Sequence, residues 1–255
     1  MVTGLDLFRD HFASCKDQYV LIGGVAAALV MEDAGLDFRA TKDIDVVLVV
    51  EMLDAAFVER FWKFIEAGQY AIRQATDETP RRYRFAKPAD ADYPFMLELF
   101  SRQPDGVALG EDAGLTPLPV DESVSSLSAI LMDDEAYGFI LAGRIEINEL
   151  RLIDADRLIP LKAIAWLDLR ARAAKGEKVD AKDIRKHFND VFRLSQLLGG
   201  ETAITLPSGM KAQFATFLAQ ARDETIEFRA LKIRGSKAEI LARLATAFNV
   251  ASFPM

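Results

Sequence analysis

The amino-acid sequence predicts an α+β fold, in which a mixed sheet with flanking helices is followed by a helical bundle. An apolar, β-branched run over Asp43–Val50 is typical of a buried central strand. Residues 80–119 hold six of the nine prolines, which favours strands and loops over helix. Four later segments have the apolar spacing of helices. We therefore predict an α/β domain over residues 1–155 and a helical domain over residues 156–255.

The predicted elements of the first domain alternate between helices and strands. Gly35 and Gly68 each follow a run of helix formers, and glycine commonly ends a helix. Two apolar runs flank an Ala-Gly-Arg triplet, which is typical of a hairpin turn. The predicted helices are Leu5–Ser14, Val25–Ala34, Glu51–Ala67 and Val124–Met132. The predicted strands are Tyr19–Ile22, Asp43–Val50, Arg82–Ala86, Phe95–Phe100 and the hairpin pair Tyr137–Leu141 and Glu146–Leu152.

The second domain is predicted to contain four helices. Ser236 and Glu239 have the spacing of a capping box, which marks the start of the last one. The predicted helices are Leu158–Ala174, Ala181–Leu198, Met210–Thr225 and Lys237–Phe248.

The composition argues against an exported or membrane-spanning protein. Cys15 is the only cysteine, so no intrachain disulfide can form and a reducing compartment is expected. The first residues lack the basic start and apolar block of a signal peptide. No run of about 18 apolar residues is present to cross a membrane. We therefore expect a cytoplasmic protein that does not engage a membrane.

The net charge of −8 is unevenly distributed along the chain. Residues 1–150 hold 13 Lys and Arg against 27 Asp and Glu, whereas residues 151–255 hold 18 against 12. A basic half beside an acidic half fits a polyanionic substrate. Two solvated surfaces of opposite charge explain the same numbers, and the sequence leaves both explanations open.

Two aspartates at the head of the predicted central strand suggest a metal site. Asp43 and Asp45 point to the same face of a strand, with Cα atoms roughly 6–7 Å apart. Uncompensated buried charge is unfavourable, and a divalent cation is the simplest compensation. Gly23 and Gly24 lie between a predicted strand and an Ala-rich helix, where backbone N–H groups can approach a phosphate. The alternatives are a solvated strand start for the acids and a simple tight turn for the glycines.

Glu98 is the candidate third acid. It lies inside the apolar strand Phe95–Phe100, where an acidic side chain is unusual. In a two-metal centre the ions lie about 3.5–4 Å apart, and a third carboxylate holds the second ion or accepts a proton. A buried ion pair or an acid on an edge strand would also place a glutamate in this run.

Several cations are candidates for contact with phosphate. Lys162 is the only charge between Leu158 and Trp166, so it either reaches a triphosphate or extends from a mostly buried face. Arg82 and Arg84 share one face of their strand and could meet triphosphate or RNA. A basic group on the predicted helical domain could face RNA, a protein partner or solvent; its members are Arg170, Arg172, Lys175, Lys178, Lys182, Arg185 and Lys186.

Asp183 has two interpretations. It could orient Lys162 from the next helix, and so support nucleotide binding. It could equally belong to an ordinary surface ladder of salt bridges with Lys186 and Arg193, since residues three or four apart are neighbours on a helix.

The first-domain motif resembles the DNA polymerase β-like nucleotidyltransferase superfamily. The resemblance lies in the glycine pair, the helix after it, the pattern Arg39-x-Thr41-x-Asp43-x-Asp45 and the later strand acid Glu98. It implies a nucleotidyltransferase-like sheet, a nucleoside triphosphate and Mg²⁺ (or Mn²⁺). Carried onto this chain, Gly23, Gly24, Thr41 and Lys42 would contact the nucleotide, while Asp43, Asp45 and Glu98 would hold metal.

The second half resembles the AbiEii-like nucleotidyltransferases of type IV toxin–antitoxin systems. The matching residues are Leu161-Lys162-Ala163, Arg170, Lys182-Asp183 and Asp190. This resemblance implies that Lys162 reaches the phosphates, that tRNA or protein is the acceptor, and that a cognate antitoxin is a partner. Glu98 stands where many members have Asp, and the acidic net charge is unusual for an enzyme that handles tRNA.

The sequence thus supports two hypotheses. The first is a metal-dependent nucleotidyltransferase that moves a nucleotidyl group from a nucleoside triphosphate to an acceptor hydroxyl. The second is a protein of the same fold that binds a nucleotide or a partner without turnover.

Overall fold

The structure is a computed structural model that describes residues 2–74, 82–104, 115–117 and 128–250. The chain divides into two compact units. The first, the sheet unit, comprises Met1–Asp33 and Arg39–Ile153. The second, the helical unit, comprises Ala34–Phe38 and Asp154–Met255.

The sheet unit is built on a mixed sheet, which confirms the predicted fold class. Its described strands are β1 (Tyr19–Ile22), β2 (Asp43–Leu48), β3 (Ala71–Gln74), β4 (Arg82–Ala86), β5 (Met96–Ser101), β6 (Leu115–Pro117), β7 (Ser128–Leu131), β8 (Arg144–Ile147) and β9 (Leu150–Ile153). The order is β3-β4-β5-β2-β1-β9-β8, with β7 beside β5 and β6 beside β7. Three pairings are parallel (β2 with β5, β1 with β9, and β5 with β7), and the others are antiparallel.

One face of this sheet carries the aromatic core. Ile44, Leu97 and Phe85 are register partners on three adjacent strands, and all three are fully buried. Helices α1 (Leu5–Phe12) and α3 (Ala55–Ala67) supply phenylalanine rings against this side, including Phe61, whose centroid lies 5.2 Å from that of Phe85. Each such side chain contributes about 1.5–3 kcal/mol by burial. The residues between these partners therefore point to the opposite face.

Helix α3 begins four residues later than predicted. Asp54 is its N-cap, and its carboxylate accepts a hydrogen bond of 2.8 Å from the backbone N–H of Phe57. An N-cap carboxylate satisfies one of the free N–H groups at the start of a helix, so Asp54 sets the boundary. The other helices of the unit are α2 (Gly23–Asp33) and α4 (Asp134–Ala142), with a 3₁₀ segment over Ala13–Gln18.

The predicted hairpin was wrong in position. Tyr137–Leu141 lies within α4, which Asp133 caps by accepting from the N–H of Ala136 at 2.8 Å. The hairpin instead joins β8 to β9 through Asn148 and Glu149. Both have positive φ angles, 49° and 63°, as the favoured two-residue hairpin turns require.

The predicted helix Val124–Met132 was also wrong where the structure describes it. Residues 128–131 form strand β7, which pairs with β5. Residues 124–127 lie outside the described residues.

The helical unit contains α5 (Ala155–Ala174), α6 (Ala181–Leu194), α7 (Ser208–Ala221) and α8 (Lys237–Ala247), with a 3₁₀ turn over Ser195–Leu197. Trp166 packs against Phe188 and Phe217 at centroid distances of 5.3 and 5.4 Å, which joins α5, α6 and α7 in one core. The predicted capping box of Ser236 and Glu239 is present and begins α8. No described helix combines the length and hydropathy needed to cross a membrane.

Candidate functional site

Gly23 lies directly against the second aspartate of the motif. It follows β1, whose last residue, Ile22, is the register partner of Asp45. A Cβ atom on Gly23 would lie 2.8 Å from Cγ of Asp45 and closer still to its Oδ2. Gly23 also has a φ of +68°, which residues with a side chain rarely adopt. Glycine is therefore favoured at this position on two grounds, and the glycine turn packs directly on Asp45.

Gly24 makes a second close approach, to the loop before β2. A Cβ atom there would lie 2.5 Å from Oγ1 of Thr41 and 3.7 Å from Nη2 of Arg39. Both glycines belong to the first turn of α2, where backbone N–H groups lack partners within the helix. The predicted start of this helix at Val25 was two residues late.

Arg39 belongs to the sequence motif but was not among the residues predicted for the site. Its guanidinium lies beside Gly24, and its Nη1 donates to the carbonyl of Ala40 at 3.3 Å. Its position two residues before Thr41 was the available signal, because alternate residues of an extended segment share a side.

The register of the sheet brings the predicted acids to one face. Arg84 on β4, Glu98 on β5 and Asp45 on β2 are successive register partners, so their side chains lie side by side. Asp43 lies two residues before Asp45 and therefore points the same way. This face is opposite the one that carries the aromatic core. We call four side chains at this end of the sheet face the acidic row: Asp43, Asp45, Glu98 and Arg84. The glycine turn lies beside them.

Glu98 is engaged by Arg84. The Nε atom of Arg84 donates to Oε1 of Glu98 at 2.6 Å, and its Nη2 donates to the same oxygen. The ion pair that we kept as an alternative for Glu98 is therefore present. Within the described residues, no group of three or more His, Cys, Asp or Glu side chains is placed to hold a metal ion. The role of Glu98 as a metal ligand stays a prediction.

The other predicted nucleotide contacts in this unit flank the acids. Thr41 is half-buried beside Gly24, and Lys42 is exposed. The carbonyl of Lys42 accepts from the N–H of Phe95 at 3.0 Å, which continues the pairing of β2 with β5. The backbone of Arg82 belongs to β4, but its side chain lies outside the described residues.

Asp43 and Asp45 form a chemically suitable pair for a hard divalent cation. Mg²⁺ is commonly held by one or two carboxylates, with substrate phosphates and water completing its octahedron. The close fit of Gly23 against Asp45 leaves room at this point for backbone and carboxylate but for no further side chain. Two carboxylates beside the backbone N–H groups of a helix start are the chemical groups that suit Mg²⁺ and phosphate.

In the helical unit, Lys162 is buried and paired. Its Nζ lies 3.4 Å from Oδ2 of Asp190, and the two side chains are 5% and 0% exposed. Oδ1 of Asp190 also lies 3.3 Å from Nη1 of Arg193. Asp183, for which we left open a role in orienting Lys162 and a surface ladder with Lys186, is exposed and accepts from Nζ of Lys186 at 3.0 Å. Our sequence reasoning did not identify Asp190 as the partner, because that pairing depends on how α5 packs on α6.

Most of the predicted basic group has partners within the helical unit. Arg170 pairs with Glu224, Arg172 with Glu177, and Arg185 donates to the carbonyl of Thr225. Lys175, Lys178 and Lys182 are exposed and form no ion pair with any described residue. These three lysines are what the group offers to an anionic partner.

Comparison with known proteins gives distant structural likenesses. No family model matches the chain, and no curated protein matches it. An antigenic nucleotidyltransferase-like protein from Paracoccidioides brasiliensis is 15% identical, with a TM-score of 0.44 over 92% of this chain and 95% of that one. JHP933 from Helicobacter pylori is 16% identical, with a TM-score of 0.42 over 95% and 88%. These similarities are too distant to assign an activity.

Proposed function

We propose that this protein is a metal-dependent nucleotidyltransferase that moves a nucleotidyl group from a nucleoside triphosphate to an acceptor hydroxyl. The observation that carries the proposal is the close packing of Gly23 on Asp45 at the start of α2. It joins two parts that this chemistry needs at one place, a cradle of backbone N–H groups for phosphate and a pair of carboxylates for a cation.

In this mechanism the chain mainly positions and neutralises its substrates. The N–H groups of Gly23 and Gly24 and the hydroxyl of Thr41 would donate to the triphosphate, and Asp43 and Asp45 would hold Mg²⁺ or Mn²⁺. When bound, such a cation would supply positive charge to offset the charge that develops on the phosphoryl oxygens. The acceptor oxygen forms a bond to the α-phosphorus in line with the bond that breaks, pyrophosphate leaves, and the hydroxyl proton is released to water. Positioning and charge stabilisation supply most of the acceleration in such a reaction.

The finer assignments are separate parts of the proposal. Lys42 and Arg82 are proposed to contact the nucleotide, whereas phosphate binding by Lys162 and Asp183 stays an expectation from the resemblance. The acceptor is proposed to be tRNA or protein, for which Lys175, Lys178 and Lys182 offer exposed positive charge. A toxin role with a cognate antitoxin rests on the resemblance of the second half alone, whereas the proposed cytoplasmic location rests on the composition.

Incorporation of labelled nucleoside triphosphates tests the main proposal. With Mg²⁺ and cell extract, the intact protein should label RNA or protein, and Asp43→Asn or Asp45→Asn should each lower labelling by more than about 100-fold, since even outer-shell changes cost 10–100-fold. Asp33→Asn, an exposed acid at the end of α2, is the matched control and should label normally. Wild-type labelling by Asp45→Asn would refute the assignment of the acids.

The engagement of Glu98 by Arg84 favours a second candidate, a nucleotide-binding protein without turnover. In the described residues it leaves the acidic row without a cluster of three metal-binding side chains. Calorimetry with each nucleoside triphosphate, with and without Mg²⁺, separates the two candidates. Metal-independent binding without release of pyrophosphate would support the second.

A further inference from the structure

The partner of Glu98 points to a role that differs from metal binding. Glu98 is a buried carboxylate with a side chain 11% exposed, and Arg84 is its one partner among the described residues. The two residues face each other across β4 and β5 as register partners. Their contact is therefore fixed by the sheet itself and does not depend on a mobile loop.

We propose that Glu98 is a positioning residue that holds the guanidinium of Arg84 for the nucleotide triphosphate, and that it is not a ligand of the metal. This inference rests on the proposed function, because it assigns roles inside the same site. It reassigns Glu98, which the sequence placed among the metal ligands, and it gives Arg84 a defined geometry.

The hydrogen bonds leave Arg84 able to bind an anion. A guanidinium carries five N–H groups in a fixed plane. Two of them, one on Nε and one on Nη2, are donated to the single oxygen Oε1 of Glu98. The other three form no hydrogen bond with any residue that the structure describes. The Arg84 side chain is 31% exposed while its anchor is 11% exposed, so solvent or a ligand reaches the cation more readily than the carboxylate.

The arrangement of charge on the acidic row also supports separate roles, metal binding for Asp43 and Asp45 and positioning of Arg84 for Glu98. Adjacent strands lie about 4.7–4.9 Å apart, so the side chains of Glu98 and Asp45, two acids of like charge, leave the sheet beside each other. Arg84, on the far side of Glu98, compensates that charge without any metal. Moving Glu98 onto a cation would leave the partly covered guanidinium without its acceptor. Asp43 and Asp45, with phosphate and water, already supply a sufficient ligand set for Mg²⁺.

Binding of Mn²⁺ without nucleotide is the first test, measured by electron paramagnetic resonance. Asp45→Asn should weaken Mn²⁺ binding at least tenfold, whereas Glu98→Gln and Arg84→Gln should leave the Kd within about twofold of wild type. Glu51→Gln, which removes the carboxylate of another Arg ion pair in this unit, is the matched control. Weakening by Glu98→Gln equal to that by Asp45→Asn would overturn the inference. Tighter Mn²⁺ binding by Arg84→Gln would also overturn it, because it would mean that Arg84 had held a ligand back.

Binding of ATP, GTP, CTP and UTP with Ca²⁺ is the second test, measured by calorimetry. Glu98→Gln and Arg84→Gln should each weaken the best-bound nucleotide by about fivefold to twentyfold, and the double variant should be no weaker than Arg84→Gln, since residues acting as one unit are not additive. Additive losses would overturn the inference. If Glu98→Gln does not fold, Arg84→Lys decides. Lysine keeps the positive charge but lacks the paired N–H donors of the guanidinium, so this variant should still bind the nucleotide more weakly. Failure of the wild type to bind any nucleotide would refute the proposed function itself, a result distinct from either pattern above.

Discussion

Each unit contains a partly or wholly buried ion pair, and the two pairs differ in how far solvent reaches the cation. Arg84 of the sheet unit is 31% exposed beside Glu98, whereas Lys162 of the helical unit is 5% exposed beside a fully buried Asp190. We call Lys162–Asp190 the sealed pair and Arg84–Glu98 the open pair. Removing one partner of the sealed pair leaves the other as a buried charge without water. A pair with an open cation can still meet a ligand. The comparison therefore separates a candidate binding group from a group that is first of all structural.

The largest expected effect is on the sealed pair. Asp190→Ala should lower the free energy of unfolding by about 3–5 kcal/mol, because it removes the carboxylate that Lys162 and Arg193 both contact inside the helical unit. Urea denaturation monitored by circular dichroism measures the loss. Replacing the pair together, by Lys162→Met with Asp190→Leu, should recover most of it. A loss below 1 kcal/mol in Asp190→Ala would show that water reaches this pair, and the two pairs would then not differ in exposure to solvent as we infer.

The next largest effect on the free energy of unfolding is expected at the glycine turn, in the same unit as the Arg84–Glu98 pair. Gly23→Ala should cost roughly 3 kcal/mol, since overpacking against Asp45 adds about 1–3 kcal/mol to the strain of a positive φ. Gly35→Ala is a matched control, because Gly35 has a φ of +70° but no atom within 4 Å of an added Cβ. Gly35→Ala should therefore cost about 1 kcal/mol.

The two glycine variants should also differ in metal binding. Gly23→Ala displaces the Asp45 carboxylate and should abolish binding of Mn²⁺, whereas Gly35→Ala should leave it unchanged. Thermal unfolding measures the stability loss of each variant, and a Mn²⁺ titration on the same samples measures its Kd for the metal. Equal stability losses in the two variants would show that the turn relaxes away from Asp45.

The open pair should contribute less to stability than the sealed one. Glu98→Gln should lower the free energy of unfolding by about 1–2 kcal/mol, since a hydrogen bond to a charged group is worth about 1.5–3 kcal/mol and the exposed side of Arg84 recovers some hydration. Denaturant unfolding, followed through the transition of the sheet unit, measures this loss of stability. A loss as large as that of Asp190→Ala would contradict the ranking of the two pairs by exposure.

Local patterns were sufficient for much of the sheet unit and for the motif. The strand Tyr19–Ile22 has the predicted bounds, and the glycine pair and the two aspartates were each recognisable from a few adjacent residues. The capping box of Ser236 was likewise readable from four residues. Such features depend on neighbours in sequence.

The errors and omissions depend on contacts between distant residues. Tyr137–Leu141 is an apolar run that suits a strand or a helix, and within α4 the Tyr137 hydroxyl makes contacts remote in sequence: it accepts from the N–H of Val50 and donates to Glu51. The pairing of Arg84 with Glu98 requires the register of β4 against β5, which no local pattern encodes.

The smallest effect on stability belongs to an ion pair that is exposed on both sides. Asp183 and Lys186 lie 3.0 Å apart with side chains 53% and 35% exposed, so Asp183→Asn should change the free energy of unfolding by less than about 0.5 kcal/mol. This variant also separates the two interpretations of Asp183. A surface ladder predicts no change in nucleotide binding, whereas a role in phosphate binding predicts a weaker nucleotide at unchanged stability. Calorimetry with the best-bound nucleoside triphosphate, with Glu177→Gln as the control for another exposed helical-unit pair, decides between them. A destabilisation above 1 kcal/mol would show that exposure alone does not rank the ion pairs of this protein.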